Sequence, residues 1–118
     1  MHALGSPKFV SKGWGYELWI ANNDKYCGKI LCVLKDRKCS MHFHLNKHET
    51  FYIVSGTIQM KLIEKNGDKV VLNMTKGDTL EVPPGLMHQF KSTCDLAEIM
   101  EVSTFHDDED SYRVVRGD

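Results

Sequence analysis

The sequence predicts an all-β protein of one domain. From Tyr16 onward it consists of short extended runs separated by turn-forming residues, and no long segment has the period of about 3.6 residues of an amphipathic helix. Short runs at this spacing are typical of a β-sandwich or barrel. The length of 118 residues suits one domain that buries a single hydrophobic core.

Nine strands are predicted, and turn-forming residues separate them. Glycine and asparagine tolerate positive φ, and proline holds φ at about −65°, so these residues end extended runs. Asn66-Gly67 is the strongest hairpin signal, because it joins two such runs through residues that a tight turn prefers. The predicted strands are 16–20, 29–34, 40–44, 49–54, 57–63, 69–74, 79–82, 87–91 and 96–102.

The two ends of the chain carry no strand prediction. Residues 1–13 have no clear pattern and are expected to form a loose arm or a swapped strand, whereas 14–106 form the sandwich or barrel. Residues 107–118 are expected to be an exposed tail, because they begin with the acidic run 107–110. We also expect a homodimer, since pairing between protomers through the N-terminal strand would protect an open sheet edge.

Charge and hydropathy argue against several kinds of partner. With 15 basic and 16 acidic residues the net charge is −1, so no global field attracts nucleic acid or an anionic membrane. No apolar run approaches the roughly 20 residues that span a bilayer, and no leader segment is recognisable. A soluble cytoplasmic protein is therefore expected.

The four cysteines favour a structural role. Cys27, Cys32, Cys39 and Cys94 form no CxxC pair and are too sparse to staple a small domain with disulfides. Buried free thiols are the simplest expectation, because a free cysteine behaves as a small hydrophobe. Cys39 precedes a histidine pair by three residues, where a metal or cation would lower its pKa.

That pair, His42 and His44, is the strongest chemical signal in the chain. Two imidazoles at positions i and i+2 of a strand lie on the same face. Glu49 follows at an odd offset, so the strand must break at 45–48 and restart; Glu49 then shares the inward face with Phe51. His88 comes just after a Pro-Pro-Gly turn on an inward-facing position. Mixed nitrogen and oxygen ligands of this kind suit a divalent transition metal.

These residues lie in two motifs with a familiar spacing. His42-x-His44-x4-Glu49-x6-Gly56 and Gly77-x5-Pro83-x-Gly85-x2-His88 resemble the two motifs of the cupin superfamily. The resemblance implies a cupin double-stranded β-helix, or jelly-roll barrel, with a metal held inside by His42, His44, Glu49 and His88. The sequence departs from the motifs at Asp36, where glycine is usual, and at Ser92, where asparagine is frequent.

A narrower resemblance points to one activity. Trp14-Gly15-Tyr16-Glu17, Lys47-x-Glu49-x-Phe51-Tyr52 and the C-terminal region from Glu101 to Arg113 are similar to cupin sugar isomerases. The relatives in question are the C-terminal domain of mannose-6-phosphate isomerase and small D-lyxose-type ketol-isomerases. This resemblance implies an aldose–ketose isomerase that acts on a sugar or sugar phosphate through a metal-stabilised enediolate. The metal would be manganese, nickel, cobalt, zinc or iron.

Glu101 is the candidate base that would move the proton between carbon atoms, with a pKa tuned by burial. The alternation along its strand leaves the orientation open. Glu101 faces inward if Ile99 does, and it lies on the surface if Met100 and Val102 face inward.

Lys47 and Arg113 are candidates for holding an anionic or polyhydroxyl end of the substrate. For both residues, a solvated surface position is the simpler alternative. Trp14 and Trp19 are expected to be core or interface aromatics, and His48 and His106 to be exposed loop residues.

Two other functions remain open at this stage: a metal-bearing sugar-binding module without turnover, and an iron dioxygenase that uses the same ligands. An isomerase requires a second inward carboxylate near the metal, and a binding module does not.

Overall fold

The computed structural model describes residues 2–118, and these form two antiparallel sheets packed as a jelly-roll sandwich. Sheet A has the strand order β1-β2-β3-β10-β5-β8, and sheet B has the order β11-β4-β9-β6-β7. A three-residue 3₁₀ turn, Asp108–Asp110, is the one helical element in the described chain. The strands are β1 Lys8–Lys12, β2 Gly15–Asn22, β3 Cys27–Leu34, β4 Met41–Phe43, β5 Glu49–Ser55, β6 Thr57–Ile63, β7 Lys69–Thr75, β8 Thr79–Val82, β9 Met87–Ser92, β10 Leu96–Ser103 and β11 Tyr112–Val115.

The all-β prediction is confirmed, and each of the nine predicted strands is present with ends shifted by no more than two residues. Asn66-Gly67 lies in the turn between β6 and β7, where Gly67 has a φ of 89°. Asp36 adopts a φ of 60°, which explains why glycine is usual at this motif position. Over residues 2–118, no helix has the length and apolar character needed to cross a membrane.

The expectation of a loose N-terminal arm is wrong for residues 8–12. They form β1, which pairs with β2 in a register from Lys8 opposite Trp19 to Lys12 opposite Gly15. Apolar and polar residues alternate too weakly in this segment to predict a strand from the sequence. Its extended conformation depends on pairing with β2. Because β1 is an edge strand of sheet A, the expected homodimer through it stays a prediction.

The expectation of an exposed C-terminal tail is also wrong in part. Asp107, Asp108 and Glu109 are exposed, but Asp110 is buried. The following strand, β11, pairs with β4 and sets Arg113 opposite His42. The tail is therefore part of sheet B and closes one side of the interior.

The core lies between the two sheets, on the faces that the period-two alternation selects. Phe51 and Ile53 of β5 and Ile99 of β10 are almost completely buried, whereas Tyr52 is 39% exposed on the outer face. The cysteines are all free thiols, as expected; three are buried and Cys94 is half-buried. The apolar core fills the part of the sandwich around Ile53 and Ile99, and polar residues gather around Glu49 and Glu101.

Candidate metal centre

Three histidines meet in the interior because β4 pairs with β9. His42 and His88 are direct cross-strand partners, and His44 follows at the end of β4. One ring nitrogen of each lies within 4.8 Å of the others. His44 and His88 are buried and His42 is half-buried. We call these three residues the imidazole cluster.

Each ring of the imidazole cluster is oriented by a backbone carbonyl. The Nδ1 atom of His42 lies 2.8 Å from the carbonyl oxygen of Ser40, and that of His88 lies 2.9 Å from the carbonyl of Leu86. The Nδ1 atom of His44 lies 2.7 Å from the carbonyl of Asp110. A carbonyl only accepts, so Nδ1 must donate, and in a neutral ring this tautomer leaves Nε2 unprotonated. Metal-binding histidines are typically held in this way.

Burial keeps the rings of His42 and His44 neutral. Burial, together with the neighbouring His88, lowers the pKa of His42 to about 3. Burial also lowers the pKa of His44, against the opposing effect of Glu49. A metal-binding imidazole must be unprotonated, so these two rings are ready to bind a metal at neutral pH.

Glu49 adds an oxygen to the three nitrogens. Its Oε1 atom lies 2.8 Å from Nε2 of His88 and 3.8 Å from Nε2 of His44. Although both are buried, Glu49 Oε1 and His88 Nε2 have no hydrogen-bond partner among residues 2–118. Burial tends to raise the pKa of Glu49, but His88 and Lys47 hold it well below its usual range.

This arrangement fits a divalent transition metal. Buried polar atoms without partners cost roughly 1–3 kcal/mol each, and a cation shared by them removes that cost. Three imidazole nitrogens and one carboxylate oxygen are ligands that such metals favour. The structure thus brings together all four residues that the cupin resemblance implies as ligands.

Beside the imidazole cluster, Lys47 joins two buried carboxylates. Its Nζ atom lies 2.6 Å from Oε2 of Glu101, 3.2 Å from Oε2 of Glu49 and 2.9 Å from Nδ1 of His106. The alternative of a solvated lysine is wrong, since Lys47 is 3% exposed. Burial alone would lower its pKa, but Glu101 and Glu49 raise it, so Lys47 stays protonated.

The orientation of Glu101, which the sequence left open, is inward. It is 4% exposed and shares the inner face of β10 with Ile99. Burial and the nearby charge of Glu49 raise its pKa, and this effect exceeds the opposing influence of Lys47 and Lys29. A carboxyl group with a raised pKa can both accept and return a proton near neutral pH.

Asp110 is a site residue that the sequence did not reveal. Its carboxylate accepts hydrogen bonds from the backbone N–H groups of Leu45, Asn46 and Lys47. Burial tends to raise its pKa, but these bonds hold the pKa below its usual value. Asp110 therefore fixes the loop between β4 and β5 while its carbonyl orients His44. No local signal marks it, because its partners lie more than sixty residues away.

Three of the other predicted residues, Trp14, His106 and Arg113, line a cavity of about 880 Å³. Arg113 is exposed and lines the outer wall, and His106 lines it half-buried, with Nε2 2.8 Å from Oδ1 of Asp108. His48 is exposed, as expected. Trp14 is buried and packs edge-on against Phe90.

Cys39 does lie beside the candidate site, where it lines the cavity. The expectation that a metal or cation lowers its pKa concerns the ion-bound protein and stays a prediction. Burial raises the pKa of Cys39 to about 12, so it is an inert thiol.

Two further buried residues face the cavity, although neither was predicted as a site residue. Lys29 and Glu17 are 2% and 8% exposed and line the same wall as Glu101. The sequence carried a signal for Lys29, because it has the parity of Leu31 and Val33 in an apolar run. We call Glu17, Lys29, Lys47 and Glu101 the charged wall.

The chain belongs to the cupin family. The profile of the family described as Cupin matches residues 38–115, which include both histidine motifs and the strands that carry them. No protein of curated function matches the sequence significantly.

Solved structures with a similar fold come from larger proteins. Oxalate decarboxylase from Bacillus subtilis, in a structure at pH 4.6, is 15% identical, with a TM-score of 0.82 over 96% of this chain and 33% of that chain. The formate complex of Lactobacillus farciminis oxalate decarboxylase is 13% identical, with a TM-score of 0.80 over 92% of this chain and 34% of that one. CapF with the inhibitor 3-isopropenyl-tropolone is 17% identical, with a TM-score of 0.81 over 92% of this chain and 34% of that one.

This chain therefore spans about a third of the length of these neighbours. At such low identity, the likeness shows the fold alone. It does not single out mannose-6-phosphate isomerase, so the narrower resemblance to that enzyme stays a prediction.

Proposed function

We propose that this cupin is a metal-dependent enzyme that interconverts an aldose and a ketose. The observation that carries the proposal is Glu101, a second buried carboxylate that faces the cavity beside the imidazole cluster. A module that only binds a metal or a sugar has no need of a buried acid with a raised pKa. Perturbed pKa values of this kind cluster at functional sites.

The metal would be held by His42, His44, Glu49 and His88. When bound, a divalent transition metal such as manganese, nickel, cobalt, zinc or iron supplies a Lewis acid that polarises a substrate oxygen.

Glu101 would carry out the proton transfer. Its carboxylate takes the proton from the carbon next to the substrate carbonyl, exchanges it with solvent, and delivers a proton to the former carbonyl carbon. The hydroxyl proton on the first carbon passes to the former carbonyl oxygen, so that no proton is gained or lost overall. Ser103 donates a hydrogen bond to its Oε2 atom, which Lys47 also contacts. No hydrogen bond to Oε1 is found in the described chain, so that oxygen is available to accept the proton.

Lys47 would position Glu101 and reduce the repulsion between the carboxylates of Glu101 and Glu49. The ammonium group lies between the two carboxylates, at 2.6 Å and 3.2 Å. Its raised pKa keeps it charged, and its three N–H donors are directed at Glu101, Glu49 and His106. Arg113, on the outer wall, would contact the part of the substrate that faces the cavity opening.

The experiment is deuterium incorporation from heavy water. The manganese-loaded protein is incubated in D₂O with pentoses, hexoses, their phosphates and oxalate, and the products are analysed by mass spectrometry. We expect one deuterium at carbon 1 or carbon 2 of a sugar. In Glu101→Gln, the exchange rate should fall by about 10²–10⁴-fold while the metal content per chain is unchanged.

Glu98→Gln is the matched control, because Glu98 lies on the same strand with its side chain bound to Ser55 on the other face. Metal at one ion per chain without deuterium in any sugar would contradict the proposal and favour a binding module. Oxygen consumption by the iron-loaded protein would favour the dioxygenase. Release of carbon dioxide from oxalate would favour a decarboxylase.

A further inference from the structure

Lys29 and Glu17 form a second polar group in the cavity that the proposed proton transfer does not use. Trp19, Lys29 and Glu101 are cross-strand partners in a row over β2, β3 and β10, and Glu17 lies opposite Leu31 one step along. In the strand order of sheet A, Lys29 on β3 lies next to Glu101 on β10, on the side away from β5. Neighbouring strands are about 4.8 Å apart.

Lys29 is buried with most of its hydrogen-bonding capacity unused. Its Nζ atom lies 3.6 Å from Oε1 of Glu17, which is longer than a hydrogen bond, and no hydrogen bond from Nζ is found among residues 2–118. The ammonium has three N–H donors. Burial outweighs the attraction of Glu101 and Glu17 and lowers the pKa of Lys29, as expected for a charge whose lost hydration is incompletely replaced. Acceptors on a ligand would replace that hydration.

Trp19 holds this pair in place. Its indole Nε1–H donates a hydrogen bond of 2.7 Å to Oε1 of Glu17, and the Lys29 ammonium lies 4.0 Å from the centre of its ring. Trp19 is thus a positioning residue. The Oε2 atom of Glu17 receives no hydrogen bond in the described part of the chain. It is therefore an unused acceptor next to the unused donors of the Lys29 ammonium.

The charges around this pair favour an uncharged ligand. The deep part of the cavity contains the carboxylates of Glu17, Glu49 and Glu101 and the ammonium groups of Lys29 and Lys47. A phosphate bound to Lys29 would lie next to Glu17 and close to Glu101, and like charges at short range are unfavourable where burial weakens screening. Two adjacent hydroxyl groups instead match the pair, because one accepts from Lys29 and the other donates to Glu17.

We propose that Lys29 and Glu17 form a subsite that binds adjacent hydroxyl groups at the far end of an unphosphorylated sugar. This inference rests on the proposed function and names its substrate class. One end of the sugar lies at the imidazole cluster and Glu101, and the other at Lys29 and Glu17. The cost of burying a phosphate beside two carboxylates makes the site selective against sugar phosphates.

Binding of xylitol tests the subsite separately from catalysis, because xylitol has hydroxyl groups but no carbonyl. The zinc-loaded protein, which is diamagnetic, is titrated with xylitol and with xylitol 5-phosphate, and the indole N–H signal of Trp19 is followed by NMR. Trp14→Phe assigns that signal. We expect saturable binding of xylitol and weaker binding of its phosphate.

Two variants and one control locate the binding. Lys29→Met should weaken xylitol binding by about tenfold, as expected for the loss of a charged hydrogen bond. Glu17→Gln keeps an acceptor for the Trp19 indole and should weaken xylitol binding severalfold. Because it removes a negative charge, it should also reduce the difference in affinity between xylitol and xylitol 5-phosphate. Lys8→Met is the control, since Lys8 also lies over the Trp19 ring, at 4.9 Å, but does not line the cavity.

The proposal is overturned if wild-type protein does not bind xylitol, or if neither Lys29→Met nor Glu17→Gln weakens its binding. It is also overturned if xylitol 5-phosphate binds more tightly than xylitol and loses that advantage in Lys29→Met. Absence of deuterium exchange would contradict the proposed function but would leave the xylitol result standing, so the two failures are distinguishable.

Discussion

The two sheets contribute different chemistry to one cavity. Sheet B carries the imidazole cluster, on and just after β4 and on β9, whereas sheet A supplies the carboxylates of Glu17, Glu49 and Glu101 and the ammonium of Lys29. Sheet B holds imidazole rings, each anchored to a backbone carbonyl. Sheet A buries full charges, which lie next to charges of opposite sign.

This contrast explains how one small sandwich can hold both kinds of group. The Nδ1–H donor of an imidazole needs one acceptor, and the carbonyl two residues earlier provides it for His42 and His88. A buried charge requires a counter-charge from another strand or loop, as Lys47 provides for Glu49 and Glu101. The ring orientation of His42 and His88 thus depends on local geometry, and the charged wall depends on tertiary contacts.

The largest effect is expected from removing the imidazole cluster. In the double variant His42→Ala with His88→Ala, the metal content measured by elemental mass spectrometry should fall from about one ion per chain to nearly none, because half of the ligand set is lost. His48→Ala, at an exposed position outside the cluster, should retain its metal. An unchanged metal content in the folded double variant would contradict the ligand assignment.

An effect of intermediate size is expected from changing Asp110, whose carbonyl orients His44 and whose carboxylate holds the loop 45–47. Asp110→Asn places an N–H₂ group against the backbone N–H groups of the loop 45–47, so the free energy of unfolding should fall by about 1–3 kcal/mol. Urea denaturation measures the change. Glu109→Gln, in the same turn but exposed, is the control and should change stability little. Equal stability of the two variants would show that the loop does not depend on the buried carboxylate.

The smallest effect is expected from Arg113, at the exposed rim. Arg113→Met should raise KM by at most about threefold and leave kcat unchanged, because an exposed cation contributes little and acts equally on ground and transition states. Steady-state kinetics with the sugar found by deuterium exchange measures both constants. A tenfold loss of kcat would instead give Arg113 a direct part in the reaction.

Much of the fold and part of the site could be predicted because the responsible signals are local. Alternation with a period of two assigned Glu49 and His88 to the interior, since a strand with Phe51 or Phe90 on one face has its buried side determined. The same argument could not orient Glu101, because Ile99 on one side and Met100 and Val102 on the other are all apolar. Only pairing with β3 and β5 decided which side faces the core.

Other parts of the site depend on contacts between residues far apart in the chain. Lys47 resembles a loop lysine until Glu101 lies beside it, and Asp110 resembles part of an acidic tail until the loop 45–47 turns its N–H groups toward it. Desolvation and charge pairing depend on what surrounds a group, and the neighbours along the chain do not contain that information.

The sequence alone was enough to predict the all-β class, the nine central strands, the cupin motifs and the four candidate metal ligands, His42, His44, Glu49 and His88. These follow from residue spacing, because a strand sends alternate side chains to opposite faces whatever packs against them. Contacts made on folding define the edge strands β1 and β11, the burial of Asp110 and the assembly of the charged wall from β2, β3, β10 and the loop 45–47. A strand whose own alternation is weak, or a charge whose partner is distant in sequence, is defined only by the neighbours that folding brings to it.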